Sequence, residues 1–234
     1  MANVIRVLSG GAAQALVGQL RERFAAETGC AIEASFGAVG AMKDKLLAGE
    51  ACDVLILTES LITQLTTEAQ VVAGSARPLG VVKTGIALKD GAAPVAVDSP
   101  QALKAALLAA SGVYFPDPHK ATAGIHFMKV LRSLGLEEAL AGRLHPFPNG
   151  AAAMGEMARA PGDQVIGCTQ VTEILFAPGV QLVGLLPKEF ELATVYTAAV
   201  CSRAANPGPA AALVALLAGT NAAAIRAEVG FEPG

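Results

Sequence analysis

Short β-branched runs alternate along this chain with stretches whose apolar residues recur every three to four positions, and small-residue turns separate them. Val4-Ile5-Arg6-Val7-Leu8 reads as a strand that breaks on Ser9-Gly10-Gly11 and passes directly into a helix over 13–27, with Leu16, Leu20, Phe24 and Ala25 on its apolar face. Gly29 stands where a helix is closed by a left-handed glycine. A second strand over 31–36 ends on Gly37-Ala38-Val39-Gly40, and a helix over 41–48 ends at Gly49. The run 53–57 is apolar after Asp53, as expected of a parallel strand buried on both faces, and a helix over 60–69 follows. Two strand–helix units and a third strand imply right-handed crossovers and an α/β plan.

The alternation continues after Pro78-Leu79-Gly80, which reads as a turn before a strand over 81–88. Ser99-Pro100 opens a helix with proline in its first turn, running to about 110. Strands are then predicted over 112–115, 144–147, 164–169 and 182–185, with a long β-branched one over 193–200. Between them fall a loop over 116–124 and helices over 125–134, 151–159 and 170–175. The chain closes with helices over 209–217 and 221–229.

Composition narrows the possible functions. At 234 residues the chain can form one large domain or two small ones. Hydrophobic residues make up 53% and charged ones 16%, with a net charge of −3 and no basic stripe, which argues against nucleic acid as a partner. The apolar run over 210–218 is too short to span a bilayer, so direct membrane insertion is not expected. Met1 leads straight into a strand, without the basic n-region and apolar h-region of a signal peptide, as expected of a cytoplasmic chain or of a mature N-terminus with an added Met. Cys30, Cys52, Cys168 and Cys201 lack metal-type spacing and read as core residues; a Cys30–Cys52 bridge stays open if neighbouring strands bring their starts together.

The chemistry that the pattern offers is anion binding. A strand that turns sharply into a helix leaves the first helical N–H groups bare at the sheet's edge, and the helix dipole adds to their pull on a negative group. The chain has no Gly-x-Ser-x-Gly nucleophile elbow and no phosphate loop with Gly-Lys-Ser/Thr. No metal site or cofactor is expected.

Five segments carry a family resemblance. They are Leu8-Ser9-Gly10-Gly11-Ala12; Phe36-Gly37-Ala38-Val39-Gly40; Leu47-Ala48-Gly49-Glu50 with Asp53-Val54-Leu55-Ile56; Asp117-Pro118 with Ala123-Gly124-Ile125-His126; and the stretch 131–136. On these the chain resembles the type II periplasmic solute-binding proteins, in their molybdate-binding-protein-like branch. The resemblance implies a two-lobed α/β fold, with lobe one formed by 1–80 plus 195–234 and lobe two by 81–194. It places the crossover strands at 81–88 and 193–200 and a ligand cleft between the lobes, closed by hinge bending. It also implies a periplasmic location, a small anionic ligand, an ABC-type membrane permease as partner, and a monomer; a cytoplasmic location is the alternative.

By the same resemblance the ligand is met by Ser9, Gly10, Gly11, Ala12, Gly37, Ala38, Val39 and Gly40 from lobe one. Thr122, Ala123, Gly124, Asn149, Gly150, Thr169 and Gln170 meet it from lobe two, with Lys83 and Thr84 on the crossover. Molybdate and tungstate binders of this branch complete the shell with hydroxyls on the first two turns and a tyrosine from lobe two. Here those positions fall at Ala12, at Val39 or Gly40, and at Gln170, which leaves only Ser9 as a nearby hydroxyl. The loss widens the site and favours an organic polycarboxylate or another small oxyanion, with Lys43, Lys83, Thr84, His126 or Arg77 for further carboxyl groups.

Some proteins resembling this branch are isomerases of aconitate, which gives the alternative function. Such a reaction removes a proton beside a carboxylate and holds the resulting charge on N–H donors. His126 and Lys43 are the catalytic candidates, with His119 and Glu173 as further bases. His119 and Lys120 otherwise read as solvated loop residues, His145 as structural and Glu173 as part of a solvated helix face. Lys43 stands out because a cation in the first turn of a helix opposes the dipole.

Overall fold

The first apolar run becomes β1 (Asn3–Gly10), followed by one turn of 3-10 helix over Gly11–Ala13 and then α1 (Gln14–Thr28), which Gly29 closes with φ 69°. The next two strand–helix units are β2 (Cys30–Gly37) with α2 (Val39–Leu47) and β3 (Val54–Thr58) with α3 (Glu59–Thr67). These belong to a computed structural model that describes residues 3–234; Met1 and Ala2, where lobe one was expected to begin, lie outside the described residues. The chain divides into unit 1, Met1–Val82 with Thr194–Gly234, and unit 2, Lys83–Ala193.

In unit 1, β1 pairs in parallel with β2 on one side and β3 on the other, and β9 (Ala193–Val200) runs antiparallel beside β3. All five residues of β3 are buried, as an apolar run without alternation requires. Leu16, Leu20 and Phe24 of α1 share one core with Leu55 and Leu57 of β3 and with Leu213 and Leu217 of α8 (Pro207–Ala218). Each such side chain contributes about 1.5–3 kcal/mol on burial. A short α9 (Ala223–Glu228) follows.

The strand β4 (Arg77–Lys89) is longer than the predicted 81–88 and starts four residues earlier. Pro78-Leu79-Gly80 is therefore strand and not a turn. Its glycine has φ 141°, and a Cβ there would stand 2.6 Å from the Glu232 carbonyl oxygen. Glycine is needed for the C-terminal segment to reach β4, where Val81 and Glu232 exchange two hydrogen bonds of 2.8 Å.

In unit 2, β4 lies between β7 (Val165–Gln170) and β8 (Val180–Leu185), antiparallel to both. Beyond β7 come β5 (Gly112–Pro116) and the edge strand β6 (Leu144–Phe147), parallel to one another, and an edge tolerates Pro146. The helices are α4 (Pro100–Ala109), α5 (Thr122–Ser133), α6 (Gly150–Arg159) and the six-residue α7 (Val171–Phe176). Ser99 caps α4 as its sequence predicts, accepting from the Ala102 amide at 3.2 Å. Phe115, Phe127, Leu103 and Leu131 anchor the larger of two cores here; Met154 and Met157 anchor the other.

Candidate functional site

Parallel pairing brings the strand–helix turns of unit 1 to one end of its sheet. Gly10 pairs with Gly37, so the first two turns leave the sheet at the same level, and Ser9 pairs with Ile56, two residues before Thr58 opens α3. Gly10, Ala38 and Thr58 cap the 3-10 turn, α2 and α3, and none supplies a side-chain cap bond. The cap residues thus offer no side-chain acceptor of their own to the first N–H groups of these helices. Gly10 is wedged in place: a Cβ would stand 2.9 Å from Val39 Cγ1 and 3.0 Å from Tyr196 Cε1. Tyr196 lies on β9 opposite Thr58 and is buried, its ring edge-on to Phe231.

Unit 2 repeats the arrangement with three parallel strands, β6, β5 and β7, whose carboxyl ends lead into α6, α5 and α7. The Asp117 carboxylate accepts from the amides of His119 at 2.7 Å and Lys120 at 3.0 Å, which shapes the turn before α5. Gly124 in the first turn of α5 presses on the carbonyls of Pro116 and Asp117, where a side chain would overlap them. Ala121 caps α5 without a side-chain bond.

The terminus of α6 is not open. Asn149 Oδ1 accepts from the Ala152 amide at 2.8 Å, and the buried Glu173 carboxylate accepts from the amides of Gly150, Ala151 and Gln170 and from the Thr169 hydroxyl at 2.6 Å. The protein's own carboxylate thus sits where an external anion was expected. Burial pushes the Glu173 carboxyl above the ordinary carboxylate range, against the pull of these four donors. Beside it, Gln170 pairs with Thr84 across β7 and β4. Both atoms of the Gln170 amide and the Thr84 hydroxyl are buried without a hydrogen-bond partner among the described residues.

The description "bacterial extracellular solute-binding protein" matches residues 5–232. The chain belongs to that family. It is 26% identical to an aconitate isomerase of a Pseudomonas species over 235 residues, covering 98% of this chain and 87% of the relative. The periplasmic molybdate-binding protein of Azotobacter vinelandii superposes with a TM-score of 0.80 at 20% identity, over 98% of this chain and 99% of that one. The sulfate-binding protein SubI of Mycobacterium tuberculosis superposes with a TM-score of 0.74 at 14% identity, over 99% and 87%. Both likenesses carry the two-lobed α/β fold of the periplasmic binding proteins.

In this solute-binding protein the residues expected at the ligand are spread over open and occupied turns. Gly11, Gly40, Lys83, Thr122 and Asn149 keep partial exposure, while Ala12, Gly37, Ala38, Val39, Ala123 and Gly124 are buried. Ser9 is fully buried and its hydroxyl donates to the Gly10 carbonyl at 2.8 Å, so it is no ready substitute for the missing hydroxyls. Thr169 and Gly150 serve Glu173, and Asn149 serves its own helix. Glu173 itself, expected on a solvated face, is buried because Gly150 leaves room for its carboxylate at the α6 terminus.

The basic candidates separate similarly. His126 Nε2 lies 2.8 Å from the Phe190 carbonyl oxygen; since a carbonyl only accepts, Nε2 carries a hydrogen and donates it. Lys43 is the fifth residue of α2, beyond its first turn, because the helix begins at Val39 and not at 41, and the dipole argument for it lapses. Lys83 Nζ lies 3.6 Å from Glu191 Oε2. Arg77 donates to the Gly74 and Ala76 carbonyls at 2.8 and 2.7 Å and is tied to its own loop. His119 is exposed, and His145 stacks on Tyr114 with ring centres 4.8 Å apart. Cys52 faces Cys201 and not Cys30. Among the described residues no group of three or more His, Cys, Asp or Glu could hold a metal.

Two contributors went unread in the sequence. Tyr196 carries a signal, as the one aromatic in an otherwise small and β-branched run, but nothing there reveals that it meets Gly10. The contact of Glu173 with the α6 terminus joins positions 23 residues apart through the β7 register, which no local pattern encodes.

Proposed function

We propose that this chain binds a small organic polycarboxylate, as the periplasmic receptor of an ABC-type transporter. The observation that carries the reading is a set of helix termini capped by main chain alone, at Gly10, Ala38 and Ala121, with no hydroxyl on the first two turns where a tetrahedral oxyanion would be gripped. Main-chain N–H groups can donate in the plane of a carboxylate to its oxygen lone pairs, and Ala12 and Val39 fill the adjoining space with apolar surface. In this reading Gly11, Ala12, Val39 and Gly40 of unit 1 meet carboxylate oxygens, and Thr122, Ala123 and Gly124 form the corresponding turn of unit 2. The Gln170 amide and Thr84 hydroxyl, buried without partners, supply further polar contacts, and Lys83 supplies charge.

A second reading rests on the relative named aconitate isomerase, which is similar along almost the whole chain. Here the bound polycarboxylate would lose a proton from a methylene carbon beside a carboxylate and regain one at the far end of the shifted double bond, while the N–H groups hold the charge in between. His126 is the candidate base, with Nε2 engaged by the Phe190 carbonyl and Nδ1 as the nitrogen that would take the proton.

A thermal-shift panel of citrate, tricarballylate, cis-aconitate, trans-aconitate, molybdate and sulfate tests the binding reading. Polycarboxylates are expected to raise the melting temperature and the inorganic oxyanions to leave it in place; the reverse pattern overturns it. Proton NMR of the protein with cis-aconitate tests the second reading. Appearance of the trans isomer, abolished in a folded His126→Ala variant, supports it, and an unchanged spectrum removes it.

A further inference from the structure

We propose that Cys52 and Cys201 are a disulfide-forming pair, a modification site that ties together the two separate chain segments of unit 1. Their sulfurs lie 3.3 Å apart, with Cys201 Sγ donating to Cys52 Sγ and Cys52 Sγ donating in turn to the Val54 carbonyl at 3.1 Å. A disulfide holds its sulfurs at about 2.05 Å, so a shift of roughly 1.3 Å, within reach of side-chain rotation, closes the bond. The backbone is already in register: Val54 pairs with Val200 at the β3–β9 ladder, and the Cys201 amide donates to the Asp53 carbonyl at 2.9 Å.

Access is provided as well. Both cysteines are buried, yet both line a cavity of about 200 Å³ whose rim includes the exposed Glu50, Ala51 and Arg203. Cys30 and Cys168 are also buried, and among the described residues neither sulfur hydrogen-bonds to another cysteine. The reaction needs an external disulfide donor. The Cys52 thiolate attacks one donor sulfur and expels the other as a thiol; the Cys201 thiolate then attacks Cys52 Sγ, forming the new bond and expelling the second donor thiol. Two electrons and two protons pass to the donor, and no other co-reactant takes part. Secreted and periplasmic compartments supply such donors, so the setting follows from the proposed location while the chemistry does not depend on it.

The bond would close a loop between positions 149 apart in sequence, which contains the whole of unit 2. It lies at the start of β3 and the end of the antiparallel β9, at the end of the sheet opposite Gly10 and Gly37. Its effect is therefore expected on the stability of unit 1 and not on the anion turns.

The test is to incubate the purified full chain with oxidised glutathione, then count thiols in denaturant and map peptides without reduction. The four free thiols are expected to fall to two, with the Cys52 and Cys201 peptides joined and the melting temperature raised by roughly 5–10 °C. A Cys30→Ala/Cys168→Ala variant should lose both remaining thiols in the same way. Retention of all four thiols in the wild-type chain, a bridge to Cys30 or Cys168, or a glutathione adduct that never resolves would each overturn the proposal. Because the map is made on the wild-type chain, the result stands whether or not any variant folds, and it is independent of which anion binds.

Discussion

Glu173 is the residue whose role changes most between sequence and structure. It fills the α6 terminus with the protein's own carboxyl group, which accepts from three main-chain amides and the Thr169 hydroxyl. Glu173→Gln keeps the size of the side chain but points an NH₂ group at donors that need an acceptor. A loss of about 1–3 kcal/mol is expected in denaturant unfolding near pH 5. The pH dependence has a definite sign. Burial holds the folded carboxyl above its unfolded value of about 4.3, so folding favours the neutral form. That contribution is complete below the unfolded value and is lost as pH rises through the folded one. The stability gap between wild type and Glu173→Gln should therefore narrow with rising pH, and a gap that is flat or widens would contradict this account.

At the scale of elements, the strand–helix order was legible because each strand is a dense apolar run and each early helix is bounded by small residues. Gly29, Ser99-Pro100 and the apolar run of β3 encode their elements locally. Helix starts were less legible: α2 and α5 begin two and three residues earlier than predicted, at Val39 and Thr122. Their glycines, Gly40 and Gly124, looked like turn residues, but first-turn N–H groups have no intrahelical partner, so glycine there disrupts little. The two small-residue turns at Ser9–Gly11 and Gly37–Gly40 were readable as strand-to-helix turns from their repetition, whereas the filling of the α6 terminus was not, since it depends on tertiary register. Asp53 is another such contact, invisible in sequence. Its buried carboxylate accepts from the Arg6 amide at 2.8 Å and the Asn206 amide at 3.1 Å, joining β1 to the entry of α8. Asp53→Ala leaves both amides without this acceptor and should destabilise unit 1 by about 3 kcal/mol, measured as an earlier denaturant midpoint with an unchanged slope. A shift below a few tenths of a kcal/mol would show that the clip is not used.

At the scale of the whole molecule, the two units differ in how the chain builds them. Unit 2 is one continuous stretch, Lys83–Ala193, with its own apolar cores and with β7 and β8 both pairing to residues of β4 that lie inside that stretch. Unit 1 needs both ends of the chain. Its β3 is flanked by β9, which pairs with it from Val54 to Thr58, and α8 puts Ala210, Leu213, Val214 and Leu217 into the same core as α1. Removing 194–234 would expose the β9 side of β3 to water along its length and strip one wall from that core, a loss far larger than the marginal stability of a domain this size. A fragment of residues 83–193 is therefore expected to unfold cooperatively on heating and to give dispersed amide NMR signals. A fragment of residues 1–82 should do neither until residues 194–234 are supplied in trans. Cooperative folding of 1–82 alone, or failure of 83–193 to fold, would mean that the division of the cores does not govern the division of stability.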